Sequence, residues 1–293
     1  MRHRSVWGVV AAIVGLSVPA WAEPIGGAEG LTAVLARIGA RVEAYFARAQ
    51  SIVCDERVYI RSLGYSSAGD GPVRSLDYEL RVVWEAASDR MPPAEASVLR
   101  QLRAINGRAP RSGDDPGCMD PKTVSPEPLS MLLPGRQAQY VFSADGTSRV
   151  NGREVTVLAY RPRVPGDDAV RWSERCVSVD SPGRMRGRIW ADAGTGDVLR
   201  VDEQVSGVVE FAVPEEHRTG TSGRWMALEH ATSSIRYRPV AFVDPDETLM
   251  LPSSVQSHSV WRGTGSRRVI TTQDLSACRR FITDARIVDP GSR

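Results

Sequence analysis

Three histidines are the residues after position 22 best suited to catalysis or metal binding. His217, His230 and His258 lie in separate segments, and the sequence contains no H-E-x-x-H, G-x-S-x-G or G-x-x-x-x-G-K-[ST] motif. Those motifs hold a metal ligand, a nucleophile or a phosphate loop at fixed spacing. A serine–histidine–aspartate triad is defined by geometry alone, so Ser222 and His230 stay as hydrolase candidates. Otherwise the sequence predicts no enzyme activity, no catalytic residue, no metal site and no cofactor.

Clusters of like charge offer two further kinds of chemistry. The acidic group Asp244, Asp246 and Glu247 lacks the spaced oxygen ligands and the glycine of a calcium loop, so it is interpreted as a solvated turn. A run of alternating arginines is a candidate surface for an anionic partner, because residues two apart share one face of a strand. The alternative for this run is an ordinary solvated face. Its residues are Arg184, Arg186 and Arg188.

The elements that position these residues begin after an export signal. Residues 1–22 contain a basic start, an apolar stretch from Trp7 to Leu16 and a small-x-small ending at Ala22. The pattern predicts cleavage near Ala22 and a periplasmic or secreted protein, with residues 23–293 forming a single domain. The apolar stretch is too short for the roughly 20 residues that span a bilayer. No later segment is apolar enough either, so we expect a mature protein that does not span the membrane.

Net charge excludes one class of partner. The first 22 residues contain two of the 37 Lys and Arg residues and none of the 35 Asp and Glu residues, so the mature chain is balanced. Nucleic-acid-binding domains usually carry a marked excess of basic residues. The sequence therefore predicts no nucleic-acid partner.

Four cysteines indicate disulfide bonding in an exported chain. Their wide spacing and the absence of a C-x-x-C pair argue against zinc and against thioredoxin-like chemistry. Three pairings are open, and buried thiols are the alternative. The cysteines are Cys54, Cys118, Cys176 and Cys278.

One helix and a series of strands account for the rest of the pattern. Apolar residues recur at three- and four-residue spacing over 31–49, which predicts an amphipathic helix. Strict alternation over Leu76–Glu85 predicts a strand with one buried face. Roughly ten strands follow one long helix, and this order favours an α+β fold dominated by an antiparallel sheet. The segment 162–183 is predicted to be a loop.

Two stretches resemble the LolA/LolB-type lipoprotein carrier superfamily, which includes RseB-like sensors. The first runs from Gly187 through the glycine turn to Asp202, and the second from Asp145 to Val155. The resemblance implies a large antiparallel sheet curved as an incomplete β-barrel, with the N-terminal helix packed on its concave face. It also implies a non-enzymatic binding protein for a hydrophobic small molecule, a lipid or the acyl chains of a lipoprotein.

A cavity between helix and sheet would then bind the ligand, because burying each CH₂ contributes about 0.8 kcal/mol. The alternative is an envelope sensor that presents its arginine-rich strands to a protein partner. The predicted cavity lining consists of Leu35, Ile38, Val42 and Phe46 on the helix, with Leu76, Tyr78, Leu80, Val82 and Trp84 on the strand.

Overall fold

A computed structural model defines one helix and thirteen strands. The described residues are 28–48, 51–64, 73–83, 97–114, 124, 127–173, 176–218, 223–243, 245–263 and 267–280. Five elements of the sequence predictions lie outside them: the leader, Trp84, Cys118, Ser222 and Asp244.

The predicted helix is confirmed as α1, Ala28–Arg48. Its apolar stripe faces the sheet, and Ile38 and Val42 are almost completely buried. Gly39 lies where another segment comes close, since a Cβ added there would be 2.7 Å from the side-chain nitrogen of Gln137. That side chain donates hydrogen bonds to the carbonyls of Leu35 on α1 and of Leu132. Gln137 therefore connects α1 to the segment that contains Leu132.

The strands are numbered in chain order. They are β1 Ile52–Gly64, β2 Val73–Val83, β3 Ser97–Ile105, β4 Tyr140–Val150, β5 Arg153–Pro162, β6 Ala169–Trp172, β7 Val177–Asp180, β8 Met185–Asp192, β9 Val198–Val205, β10 Val209–Ala212, β11 Trp225–Val243, β12 Asp246–Arg262 and β13 Arg267–Arg280.

Eleven of these strands form one antiparallel sheet. Its order is β3-β2-β1-β13-β12-β11-β9-β8-β5-β4, with β10 paired to β11. The two ends of this order, β3 and β4, are not paired with each other, so the sheet is open. The predicted α+β class, with one helix on a large antiparallel sheet that does not close into a barrel, is confirmed.

Several boundaries differ from the sequence pattern, which predicts a turn at Asp145 and Gly146, one continuous strand over 198–209 and a loop over 162–183. Asp145 and Gly146 lie in a bulge within β4, where the register shifts between Ala144 and Thr147. A bulge adds a residue without breaking the strand. Strand β9 is separated from β10 at Gly207, whose φ of 83° suits glycine. The predicted loop over 162–183 contains a separate two-stranded hairpin, β6–β7.

The main core lies between α1 and one face of the sheet. Residues directly opposite on paired strands share a face. A single row across β8, β9, β11 and β12 is completely or almost completely buried on this side. The row consists of Ile189, Val201, Ile235 and Val255. We call this side of the sheet the covered face.

A disulfide links β1 to β13 on the covered face. Cys54 and Cys278 are bonded although 224 residues separate them in the sequence. Cys176 is also disulfide-bonded. Disulfide bonding is therefore confirmed for these three cysteines, and the alternative of buried thiols is wrong for them.

The glycine turn between β8 and β9 contacts α1. The Asp192 carboxylate accepts hydrogen bonds from the backbone of Gly194 and Thr195, and these bonds lower the pKa of Asp192. The carboxylate of Asp197, at the end of the same turn, lies 2.6 Å from Arg41 on α1. The turn that resembles the LolA superfamily therefore anchors the helix in this chain.

Candidate functional site

The predicted apolar lining is packed core in this structure. On α1, Ile38, Val42 and Phe46 are buried, and Leu35 is half-buried against the same cluster. On β2, Leu80 and Val82 join them. The remaining two described lining residues belong to a separate cluster. Leu76 and Tyr78 pack there with Val58 and Ile105.

Little space is left between α1 and the covered face. One void beside Tyr45 and Leu249 measures about 30 Å³, and another beside Tyr45 and Leu80 measures about 20 Å³. A single water occupies about 30 Å³ in the liquid. Neither void holds an acyl chain, so the role of these side chains as ligand lining stays a prediction.

The opposite side of the same sheet, which we call the open face, carries a large groove. Its volume is about 1000 Å³, and it extends across β4, β5, β8, β9, β11, β12 and β13. Side chains of the open face alternate with those of the covered face along each strand. Each residue of the buried row is therefore adjacent in sequence to a residue whose side chain lines the groove. These adjacent residues form a second row across the same strands, Arg188, Asp202, Ser234 and Gln256.

Two arginines face each other across β5 and β8 in this groove. The ladder between β5 and β8 ends at the pair Tyr160–Gly187, and continuing its register by one residue puts Arg161 opposite Arg186. Both side chains are exposed, and neither has an ion pair within the part of the chain that the structure describes. Like charges directly opposite on paired strands destabilise a sheet. This pair therefore lacks the counter-charge that would offset its repulsion.

Neighbouring arginines on the same side of the sheet are ion-paired. Arg188 lies 2.6 Å from the Asp145 carboxylate, and Arg200 contacts Asp202 through two nitrogens at 2.6 and 2.7 Å. Asp145 and Asp202 thus provide the counter-charges of Arg188 and Arg200. Arg161 and Arg186 differ from these two arginines because neither has a carboxylate partner among the described residues.

Two of the three residues of the predicted arginine surface lie together on one strand. Arg186 and Arg188 lie on β8 and both line the groove. Arg184 was wrongly placed, because Pro182–Arg184 forms a short 3₁₀ turn before the strand begins. Its guanidinium instead binds Asp168, 2.9 Å away. A role for these arginines in partner binding stays a prediction.

Two histidines lie at the other side of the groove. The rings of His230 on β11 and His258 on β12 are 5.5 Å apart in an edge-to-face arrangement. Burial, His230 and Arg268 all lower the pKa of His258. The Nε2 atom of His258 is buried and has no hydrogen-bond partner among the described residues.

A polar pair, with Tyr160 buried and Glu203 half-buried, lies at the base of the groove. Gly187 pairs with Glu203 across β8 and β9, and the Tyr160 hydroxyl donates a hydrogen bond to the Glu203 carboxylate. Burial raises the pKa of Glu203, although hydrogen bonds from Tyr160 and Ser233 act in the opposite direction. A Cβ added to Gly187 would lie 2.8 Å from the Tyr160 ring. These side chains form part of the floor of the groove.

The arrangement is suited to binding charged ligands. Within the described residues, no group of three or more His, Cys, Asp or Glu side chains is placed to hold a metal ion. No described helix is long and apolar enough to cross a membrane. The strongest chemical feature of the site is thus its guanidinium groups beside hydroxyl and amide side chains.

Sequence reasoning missed Arg161, Arg268 and the position of His258 in a groove. Arg161 and Arg268 each lie on a strand, but nothing local to either residue indicates which strand lies beside it. The pairing of β5 with β8 and of β12 with β13 brings them to one surface. An excess of arginine in open-face positions is the signal that was present in the sequence.

Comparison with solved structures found similar chains at low sequence identity. The chain is similar to a DUF1329 family protein from Desulfovibrio piger, at 11% identity and a TM-score of 0.39, over 86% of this chain and 93% of that one.

It is also similar to a LolA superfamily protein from Nitrosomonas europaea, at 13% identity and a TM-score of 0.32, over 85% and 95% of the two chains. A third similar structure is MucB, at 12% identity and a TM-score of 0.22, over 87% and 99%.

The superfamily that the two turn motifs resemble is thus found among these structural neighbours. No protein-family model matches the sequence, and no curated protein matches it. The function is therefore argued below from the residues of this chain.

Proposed function

We propose that this protein is an exported, non-enzymatic binding protein of the cell envelope that takes an anionic ligand into the open-face groove. The observation that carries the proposal is the facing pair Arg161 and Arg186, which has no carboxylate within the described residues. A bound anion would accept hydrogen bonds from both guanidinium groups and offset their repulsion.

The surrounding ion pairs strengthen this argument. On the same surface Arg188 and Arg200 each have a carboxylate partner, Asp145 and Asp202 respectively. This sheet therefore places acids beside some of its arginines, and the facing pair has none among the described residues. The groove is also accessible without any movement of α1.

A hydrophobic ligand under α1 is the competing hypothesis. It requires a cavity for the ligand, and among the described residues the two voids found on the covered face measure only about 20 and 30 Å³. Admitting an acyl chain would mean separating α1 from buried partners and from the ion pair between Arg41 and Asp197. The groove needs no such rearrangement, so we favour the anionic ligand.

Binding of fluorescently labelled inorganic polyphosphate tests the proposal. We expect the mature wild-type protein to bind this probe at low salt, and we expect R161Q/R186Q to weaken binding by about tenfold or more. A charge-assisted hydrogen bond contributes about 1.5–3 kcal/mol, and about 1.4 kcal/mol corresponds to a factor of ten. Binding should also weaken as salt increases.

The matched control is R149Q. Arg149 lies on β4 and is highly exposed, and it does not line the groove. It should bind polyphosphate like the wild type. Equal binding by R161Q/R186Q and the wild type, or no binding by a folded wild-type protein, would overturn the proposal.

A further inference from the structure

The groove has a second cationic region, on the far side from the facing arginines. Arg268 on β13 lines the groove and has no ion pair within the described ranges. Pairing of Val260 with Arg268 and of His258 with Ile270 places Arg268 and His258 on the same face of adjacent strands. His230 lies beside them through its ring contact with His258.

The two cationic regions are well separated. The sheet order β8-β9-β11-β12-β13 puts four strand-to-strand steps between Arg186 and Arg268. Neighbouring strands are about 4.8 Å apart, so these arginines are separated by about 19 Å along the sheet. One small anion does not contact both.

Uncharged hydrogen-bonding side chains occupy the space between the two regions. They come from β9, β11, β12 and β13, and all of them line the groove. Hydroxyl and amide groups both donate and accept hydrogen bonds, which suits a ligand rich in hydroxyl groups. These side chains are Gln204, Thr232, Ser234, Gln256 and Thr272.

We propose that the groove binds an extended carboxylated polysaccharide, with one carboxylate at Arg161 and Arg186, another at Arg268, and the intervening sugar hydroxyls on the hydroxyl and amide side chains that lie beside the ion-paired Asp202. This inference rests on the proposed function and names its ligand class. A volume of about 1000 Å³ corresponds to roughly 30 waters, so a single inorganic anion would fill little of the groove.

An acidic polypeptide is the less suitable polyanion. Extended peptides commonly bind by pairing with a free strand edge. The centre of the groove lies on β9, β11 and β12, and each of these strands is already paired on both sides. Its floor also offers hydroxyl and amide groups along its length, which matches a chain that carries hydroxyl groups on every unit.

Calorimetric titration with galacturonate oligomers tests the two-region arrangement. We expect affinity to rise by about tenfold or more from the monomer to oligomers long enough to span both regions, because the second contact is then intramolecular. R268Q should abolish most of that gain. R161Q/R186Q should weaken the monomer and the oligomers alike, and R149Q should change neither.

Two further probes separate failure of this inference from failure of the proposed function. Polyglutamate and polyphosphate of matched charge should bind more weakly than the long galacturonate oligomer. Equal or tighter binding of either probe through the same arginines would overturn the polysaccharide assignment while supporting an anion-binding groove. Equal affinity for monomer and long oligomer, or a length gain that survives R268Q, would overturn the two-region arrangement. Loss of binding to every anionic probe would refute the proposed function itself.

Discussion

The two faces of this sheet differ sharply although the same strands form both. On the covered face, one row across β8, β9, β11 and β12 has four buried aliphatic residues. On the open face, the next residues of these strands form a row of charged, hydroxyl and amide side chains in the groove. Adjacent residues of one strand thus lie on opposite faces, one in the core and the other in the groove. This follows from the two-residue period of a strand.

The residues expected to stabilise the fold and those expected to bind a ligand therefore lie on different faces of the sheet. Side chains of the covered face are held by α1 and by a disulfide, and they leave voids of only about 20 and 30 Å³. Those of the open face leave arginines without counter-charge. The covered face should therefore control folding, and the open face should tolerate substitution at a cost to ligand binding alone.

Truncation of one buried residue should have the largest effect. Ile235→Ala on the covered face should lower the free energy of unfolding by about 4 kcal/mol, since it removes a completely buried side chain and leaves a cavity. Its neighbour on the open face, Ser234→Ala, should change it by less than about 0.5 kcal/mol. Urea unfolding monitored by tryptophan fluorescence measures both. Similar losses in the two variants would contradict the division between the faces.

Removal of the disulfide should have the next largest effect. C54S/C278S deletes a covalent link between β1 and β13 on the covered face, so the unfolded chain regains conformational freedom. We expect the free energy of unfolding to fall by about 3 kcal/mol, with polyphosphate binding retained at a temperature where the variant is folded. A folded variant that loses polyphosphate binding would show that the two faces are coupled.

A pH dependence should arise from the carboxyl group at the base of the groove. Burial raises the pKa of Glu203 in the folded protein above its ordinary value of 4.5. The folded state then binds the proton more tightly, so the contribution to stability is present below pH 4.5 and is lost as pH rises through the folded pKa.

E203Q should remove this part of the pH dependence, and E154Q, at an exposed position, should retain it. Urea unfolding from pH 4 to pH 7 measures the difference. Parallel pH profiles for E203Q and the wild type would contradict the assignment.

Relief of arginine repulsion should have the smallest effect. Arg186→Gln should raise the free energy of unfolding by a few tenths of a kcal/mol, up to about 1 kcal/mol, because it removes a like charge opposite Arg161. Arg188→Gln should leave it unchanged or lower it by up to about 1 kcal/mol, because Arg188 has a carboxylate partner. Thermal unfolding at low salt compares the two, and the opposite order would show that the facing pair is not repulsive.

Local patterns predicted much of the fold. The apolar stripe of residues 31–49 identified α1, and alternation from Leu76 identified β2, because both signals depend on neighbours within one element. Strand ends were less predictable. Asp145 and Gly146 suit a turn as well as a bulge, and the hydrogen bonds of the adjacent strand β5 decide between the two.

The candidate site was less predictable than the fold. Arg186 and Arg188 were identified from their alternation, whereas Arg161 and Arg268 lie about 25 and 80 residues from that run. Their contribution depends on strand order, which places β13 beside β12 and β5 beside β8. Likewise, apolar residues on α1 and β2 were predicted correctly to face inwards, but the sequence did not show how closely they pack.

The sequence by itself determined which residues of each element are buried, because the periods of helices and strands are properties of the local backbone. It also determined the near balance of acids and bases. Only the tertiary structure decided that α1 fills the space over the covered face and that Arg161 lies opposite Arg186 without a carboxylate. Both outcomes depend on pairing between strands distant in sequence, and such pairing is set by the packing of the whole chain.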